Sequence, residues 1–484
     1  MKTGKVFLVG AGPGDVGLMT VKGLDALKQA EVILYDRLAN PKLLEYAGSD
    51  CELIYCGKLP DRHTLRQENI NDLLVEKALA GNIVVRLKGG DPGVFGRVGE
   101  EAAALAEYQI PFEIVPGISS GIAAPLYAGI PVTHREYAES FAVVTAHDKS
   151  QDGKPLLDWE GLARGVDTIA FYMGVGNLPF ICENLIQHGK PSSTPVILIH
   201  WGTFGRQKTL QGTLADISKK VLEAKFSNPS IILVGEVISL REKISWFEKK
   251  PLYGRQILLA RTSTRPSELA KELLAQGADV IEFPKWKVTK QPLDLTKVTQ
   301  FEKILFTSPE SAAEFFTAVI EQDIDVRSIR AELLGLSSKT LRALRERGLL
   351  AKLAPEMVDS ENTLIVGDHQ LLERGFEKAE VMVTSHKQID QQFLPIFQRM
   401  LKEAQVNTVI LPSSASVKPF MTALAECDLH AIELLKGKQV IAMGELTLAA
   451  AKNAGLGSLE MPVSPSKEAV VNYLVEYPLQ GVQE

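Results

Sequence analysis

The chain has 484 residues, too many for one hydrophobic core, so two to three domains are expected. Hydrophobic residues at 45% and charged residues at 23% are ordinary for a water-soluble protein. No apolar run reaches the roughly 18 residues of a membrane span, and a net charge of −6 without a basic tail excludes nucleic acid as a natural partner. Cys51, Cys56, Cys182 and Cys427 form no Cys-x-x-Cys pair, which argues against structural zinc and a disulfide framework. No metal is expected, and the cysteine usage fits a reducing cytoplasm. The opening Met1–Lys5 leads into only a short apolar run, so no secretory signal is expected.

Strand-like apolar runs alternate with amphipathic helix-like runs nearly throughout, the pattern of an α/β protein. "KVFLVGAGPGDVGLM" sets Gly10, Gly12 and Gly14 directly behind a strand, and Asp36 ends the next strand, "EVILYDRL". This invites a dinucleotide-binding reading, but the third glycine of Gly-x-Gly-x-x-Gly would be residue 15, which is Asp15. Pro13 also removes a backbone N–H, and the helix is expected to begin only near Thr20. An acid beside bare backbone suits a cationic ligand better than a pyrophosphate. Between strand and helix, Lys58, Arg62, His63 and Arg66 form a local basic cluster, which Arg97, His134 and Arg135 extend. Arg62 and Arg66 are also four apart, the spacing of a solvated helical face, and both readings stay open.

A second glycine loop follows the short buried strand of Ile83–Val85 and Leu87. "VVRLKGGDPGVFGRVGEE" places Gly89, Gly90, Asp91, Pro92 and Gly93 at the carboxyl end of that strand, with Arg86 and Lys88 as salt-bridge candidates beside it. In α/β sheets ligands sit at such ends; a tight surface turn is the alternative. Near residue 250 the pattern restarts, and Pro251-Leu252-Tyr253-Gly254 is the expected joint between domains 1–250 and 251–484. The second part contains an echo. "LFTSPESAAEFF" resembles "LPSSASVKPFM", and "GLSSKTLRALRERGL" resembles "GELTLAAAKNAGL", with Ser311 and Ser416 expected to cap helices.

The blocks "GAGPGD", "YDRL", "CGK", "VVRLKGGDP", "VFGR", "VPGISS", "GIPVTHR", "YMG" and "WF" occur in the order found in uroporphyrinogen-III C-methyltransferases, and the resemblance covers roughly residues 4–248. It implies the tetrapyrrole-methyltransferase fold, two α/β subdomains with an intervening cofactor cleft. It also implies transfer of methyl groups from S-adenosylmethionine to C2 and C7 of uroporphyrinogen III, giving precorrin-2 on the route to sirohaem and cobalamin. By matching position, Pro13, Gly89, Gly90, Asp91, Val94, Ser119, Ser120, Met173 and Gly202 line the cofactor slot. Asp36 matches the family's proton acceptor and Lys58 its proton donor. For Asp36 a pairing with Arg37, or a turn cap, remains the alternative; for Lys58, a solvated surface charge. Arg62, His63, Arg66 and Arg97 are the candidates for the eight substrate carboxylates. The resemblance further implies a cytoplasmic homodimer through this part. Gly93 stands where the family usually has phenylalanine, and Val98 where it has glycine.

Residues 254–484 resemble uroporphyrinogen-III synthase, which cyclises hydroxymethylbilane; that likeness implies two α/β domains, the middle of the segment forming one. Arg261, Ser308, Ser413, Ser414 and Thr447 are its candidate carboxylate-holding residues, each serine being equally a helix cap. The sequence departs from the family where Ala260-Arg261-Thr262 replaces Thr-Arg-Pro, where Gly335 is followed by Ser338, and where an expected tyrosine is missing from "VMVTSHKQIDQQF". Two alternatives therefore stand: the C-terminal part is a tetrapyrrole-binding or docking module without catalysis, or the N-terminal part methylates another corrinoid precursor.

Overall fold

The computed structural model describes residues 4–57, 67–146, 153–264, 266–354, 356–373 and 375–478. It divides into two compact units: Met1–Arg261 with Pro266–Phe283 and Gln392–Glu484, and Thr262–Arg265 with Pro284–Gln391.

The first unit opens with five strands, β1 (Lys5–Gly10), β2 (Val32–Tyr35), β3 (Glu52–Tyr55), β4 (Ile83–Lys88) and β5 (Phe112–Val115). They form one wholly parallel sheet in the order β3-β2-β4-β1-β5. Central strands of parallel sheets are covered on both faces and read as continuous apolar runs, which is why β2 is Val-Ile-Leu-Tyr and wholly buried. The chain leaves β1 in one direction and later returns past β4 to β5 on the other side. The ends of β1 and β4 thus flank a topological switch point. Thr20 caps the helix Val21–Gln29 by accepting from Gly23 N–H, where the helix was expected to start.

Five further strands come next: β6 (Phe141–Thr145), β7 (Thr168–Tyr172), β8 (Pro195–His200), β9 (Lys208–Thr213) and β10 (Ser230–Val234). Their order is β6-β7-β10-β8-β9, with β10 antiparallel to both neighbours. Ile169, Phe171, Leu198 and Ile232 on one face, and Ala170, Ile197, Ile199 and Leu233 on the other, give this sheet two separate cores.

After the second sheet, β11 (Gln256–Ala260) and β12 (Asp279–Phe283) start a third sheet, and the second unit then intervenes before it is completed. That unit holds β13 (Trp286–Lys290), β14 (Lys303–Phe306), β15 (Glu332–Gly335), β16 (Lys352–Leu353), β17 (Thr363–Asp368) and β18 (Glu380–Ile389). Their order is β13-β18-β17-β14-β15-β16, around a core of Ile304, Phe306, Phe315, Leu344 and Val366. Back in the first unit, β19 (Thr408–Leu411), β20 (Gln439–Ala442) and β21 (Leu459–Glu460) finish the parallel sheet β12-β11-β19-β20-β21. The middle of the C-terminal part forming its own α/β unit is the arrangement expected from the resemblance.

The internal echo is two copies of one local motif. Strands β14 and β19 each run into a Ser-capped helix and then a parallel neighbour, β15 or β20. The caps are Ser308 and Ser413, correcting the expectation for Ser311 and Ser416, which sit at the third helical position. Ser308 Oγ accepts from Ser311 N–H at 3.0 Å, while Ser311 Oγ accepts from Ser308 N–H at 3.2 Å. In the other copy Ser416 Oγ accepts from Ser413 N–H at 3.4 Å and its hydroxyl donates to Ser413 O at 2.5 Å.

Candidate active site

Three loops meet at the switch point because the residues at their crossing points are glycines, with no side chains to keep them apart. Gly12 and Gly90 exchange backbone hydrogen bonds, N–H to O, of 3.1 and 2.7 Å. A Cβ on Gly10 would lie 2.6 Å from Gly117 N and 2.7 Å from Gly90 O; one on Gly117 would lie 2.4 Å from Gly90 O. Asp91 locks the third loop: its carboxylate accepts from Gly93 N–H at 2.7 Å and from Gly117 N–H at 2.9 Å. The gathered loops run from β1, β4 and β5, and they bring Pro13, Gly89, Gly90, Asp91, Val94, Ser119 and Ser120 into one region.

The second sheet contributes the opposite wall. Ser119 Oγ and Tyr172 Oη are 2.6 Å apart, and Tyr172 Oη also accepts from Gly121 N–H at 2.5 Å. Met173 follows Tyr172 in the left-handed region at φ 56°, and its thioether side chain is 48% exposed. Gly202 packs so closely that a Cβ there would lie 2.3 Å from Ala124 Cβ. Its neighbour Thr203 accepts from Asp15 N–H at 3.0 Å. Asp15 itself accepts from Gly17 N–H at 2.8 Å and from Tyr127 Oη at 2.7 Å. Burial, then that bond to Asp15, pushes the Tyr127 hydroxyl well above its ordinary pKa, so it stays a donor. Phe95, Arg97, Met173, Trp201 and Thr203 all hold positive φ without being glycine. Such backbone strain collects where a ligand has to be met in one geometry. Exposed Leu38, Phe95, Ile118 and Ile122 add an apolar rim.

Beneath these loops lies a buried charge network. Arg86 Nη2 donates to Asp36 Oδ1 at 2.6 Å and Arg86 Nε to Glu101 Oε1 at 3.1 Å. Lys88 Nζ and Gln67 Nε2 reach the same Glu101 oxygen at 2.6 and 3.2 Å. Arg86, Lys88 and Glu101 are 2%, 4% and 0% exposed, while the Asp36 side chain keeps 30% of its surface. Burial alone would weaken the hold of Arg86 on its proton, but Asp36 and then Glu101 more than offset it. Lys88 is shifted down by burial and by Arg86, against the pull of Glu101. Burial pushes the nearby Cys56 thiol up to about 11 despite Arg86, so it is no nucleophile at neutral pH.

Asp36 is therefore oriented by Arg86, not by Arg37, whose Nε donates to Glu403 Oε1 at 3.0 Å. Arg97 is exposed and pairs with Glu100 at 2.6 Å. Lys58, Arg62, His63 and Arg66 lie outside the described residues. In the C-terminal part the expectations meet competing uses. Arg261 Nη1 donates to Glu45 Oε2 at 2.7 Å, Ser308 serves as a helix cap, Ser414 opens the helix Ser414–Glu426, and Thr447 is buried. Sequence reasoning missed Asn40, whose amide donates to Gly14 O at 2.7 Å, and Tyr127, Tyr172, Thr203 and Glu101. Tyr172 stands in "YMG" and Glu101 in "GEE", so both were in view as motif letters without their roles.

The loop junction can be tested directly. Gly10→Ala should cost about 1–3 kcal/mol of overpacking there. We expect roughly tenfold or greater loss of S-adenosylhomocysteine affinity by calorimetry. Gly48→Ala, where an added Cβ meets nothing within 4 Å, should leave the affinity unchanged.

Residues 5–218 match the family model for tetrapyrrole (corrin/porphyrin) methylases, and residues 267–472 match that for uroporphyrinogen-III synthase HemD. A uroporphyrinogen-III C-methyltransferase of Bacillus subtilis (strain 168) is 52% identical over 86% of this chain and 87% of its own length. One from Priestia megaterium is 63% identical over 49% of this chain and 99% of its own length. A porphyrin biosynthesis protein HemD from Ruminiclostridium josui is 38% identical over 79% of this chain and 76% of its own. The ordered glycine loops and these relatives lead to one conclusion: the chain belongs to the uroporphyrinogen-III C-methyltransferase family, with a uroporphyrinogen-III synthase domain fused behind it.

Proposed function

We propose that this protein methylates uroporphyrinogen III at C2 and C7 with S-adenosylmethionine, and that its C-terminal part makes that substrate by cyclising hydroxymethylbilane. The observation that carries the reading is the junction of three loops that cross at Gly10, Gly12, Gly90 and Gly117 at the switch point of a parallel sheet, faced by Met173, Tyr172 and Gly202.

The residues present fit the cofactor. Bare backbone at Gly90, where an added Cβ would meet only Ser120 N at 3.9 Å, would admit its methionine portion, and the apolar rim with the Met173 thioether would receive its flat adenine. The acids Asp15 and Asp91 would supply negative charge suited to a ligand that carries an ammonium and a sulfonium. When bound, the cofactor supplies an electrophilic methyl group. The protein's own task is to align a pyrrole β-carbon with that methyl and to exclude water. Asp36, held by Arg86 and partly open to the surface, takes the proton that leaves the macrocycle. Buried cysteines with no disulfide partner support a reducing, cytoplasmic setting, and among the described residues no helix is long and apolar enough to cross a membrane.

The docking-module reading of the C-terminal part rests on a specific observation, the commitment of Arg261 to Glu45. Supplying hydroxymethylbilane and S-adenosylmethionine to the purified chain separates the two. We expect a dimethylated product of the type III isomer, with cyclisation slower than in a synthase that retains the missing tyrosine. An isomer ratio equal to the enzyme-free control, which closes to the type I ring, would select the docking module. Failure to methylate added uroporphyrinogen III would remove the methyltransferase assignment.

A further inference from the structure

We propose that Arg399, from the synthase-matched part of the chain, is a positioning residue for methyl transfer. The proposal rests on the reading of Asp36 as proton acceptor. Asp36 sits between Tyr35 and Arg37 at the carboxyl end of β2, and the helix Leu394–Glu403 holds both neighbours. Tyr35 and Tyr55 lie side by side on β2 and β3, with ring centroids 5.5 Å apart. The Arg399 guanidinium carbon stands 4.1 Å from the Tyr55 ring centroid and 5.5 Å from that of Tyr35. One helical turn later, Glu403 accepts the 3.0 Å bond from Arg37.

Three consecutive residues are thus fixed by separate partners: Tyr35 by Arg399, Asp36 by Arg86, and Arg37 by Glu403. Leu38 and Asn40, next along the chain, touch both glycine loops. A Cβ on Gly89 would lie 2.8 Å from Leu38 Cβ, and Asn40 donates to Gly14 O at 2.7 Å. Slack introduced at Tyr35 or Arg37 is therefore transmitted to Asp36 without releasing the cofactor loops, which Asn40, Asp91 and Thr203 still tie. A small displacement of a reacting group costs rate steeply. The Priestia megaterium relative is matched over 99% of its length by 237 residues of this chain, which leaves it no counterpart of this helix. The contact accordingly tunes a site that is complete without it.

The test uses the full-length chain carrying Arg399→Ala, Arg399→Lys or Glu403→Gln. Active sites are counted by S-adenosylhomocysteine titration, and methylation and cyclisation are measured on the same preparations. Arg399→Ala should lower kcat for methylation about five- to twentyfold per titrated site. KM for S-adenosylmethionine should stay within about twofold, the cyclisation rate should not change, and Arg399→Lys should recover much of the loss because it keeps the cation over the rings. Glu403→Gln should show a smaller drop in kcat alone. A wild-type kcat in Arg399→Ala overturns the proposal. So does a loss of cofactor affinity in step with kcat, since that would mean the helix only holds the parts together. A wild-type rate in Asp36→Asn removes the base reading, whereas a slow Asp36→Asn beside a normal Arg399→Ala removes only the role of Arg399.

Discussion

Replacing Asp36 by asparagine is expected to slow methyl transfer by about 10²–10⁴, the usual worth of a positioned general base. Asparagine keeps the size of the side chain and an oxygen that Arg86 can still reach, so the end of β2 should hold its place. What is lost is the ability to accept a proton. Cofactor affinity, measured with S-adenosylhomocysteine, should change by less than about threefold, because the Asp36 carboxylate is engaged by Arg86 and the glycine loops are tied by other residues. Asp91→Ala should behave in the opposite sense. Its carboxylate joins Gly93 to Gly117, so its removal should weaken cofactor binding before it affects turnover of the saturated enzyme. If Asp36→Asn turns over at the normal rate, water or another group takes the proton.

The second large effect concerns stability. Glu101 is the shared acceptor of two buried cations and Gln67, and Glu101→Ala would leave Arg86 and Lys88 enclosed without it. Breaking a buried pair from one side typically costs about 3–5 kcal/mol. For a domain of this size that lowers the midpoint of thermal unfolding by roughly 6–20 °C. Calorimetry on the full chain should show the shift in the transition of the methyltransferase part. Glu100→Ala, one residue away on the same helix, removes an exposed pair with Arg97 and should leave the midpoint in place. An unshifted transition for Glu101→Ala would mean that Arg86 and Lys88 find water or other acceptors. The same variant should impair methylation even where it folds, since Arg86 would no longer be held between two carboxylates.

The sequence made the strands, the glycine loops and the helix start at Thr20 legible, because each is a local pattern. The charge network was not legible in the same way. Arg86 and Lys88 alternate with Val85 and Leu87, which from periodicity alone suggests a polar edge. Their burial follows from β4 being central in the sheet and from a helix that brings Glu101 over it, and neither is a local property. Asp36 beside Arg37 looked like a neighbouring pair, yet the chain direction at the strand end sends the two side chains to different partners. The serine caps were misplaced by three residues because both serines of each Ser-x-x-Ser belong to one reciprocal motif. The pairing of β11 with β19 joins segments too far apart for any window of sequence to connect.

That pairing also governs how the protein is made. Every strand of the two N-terminal sheets has been synthesised by Val234, so the methyltransferase part is able to fold while the rest is still being translated. β11 meets β12 soon after, but its other edge has no partner until β19 emerges roughly 150 residues later. At ~5–20 residues per second that is about 7–30 s of ribosome time. For that interval a fully apolar-flanked strand, Ile257-Leu258-Leu259, is exposed to any passing strand edge. Ribosome pausing between residues 283 and 408 would therefore aggregate or expose to proteolysis the C-terminal half selectively, and leave behind a folded methyltransferase without its synthase.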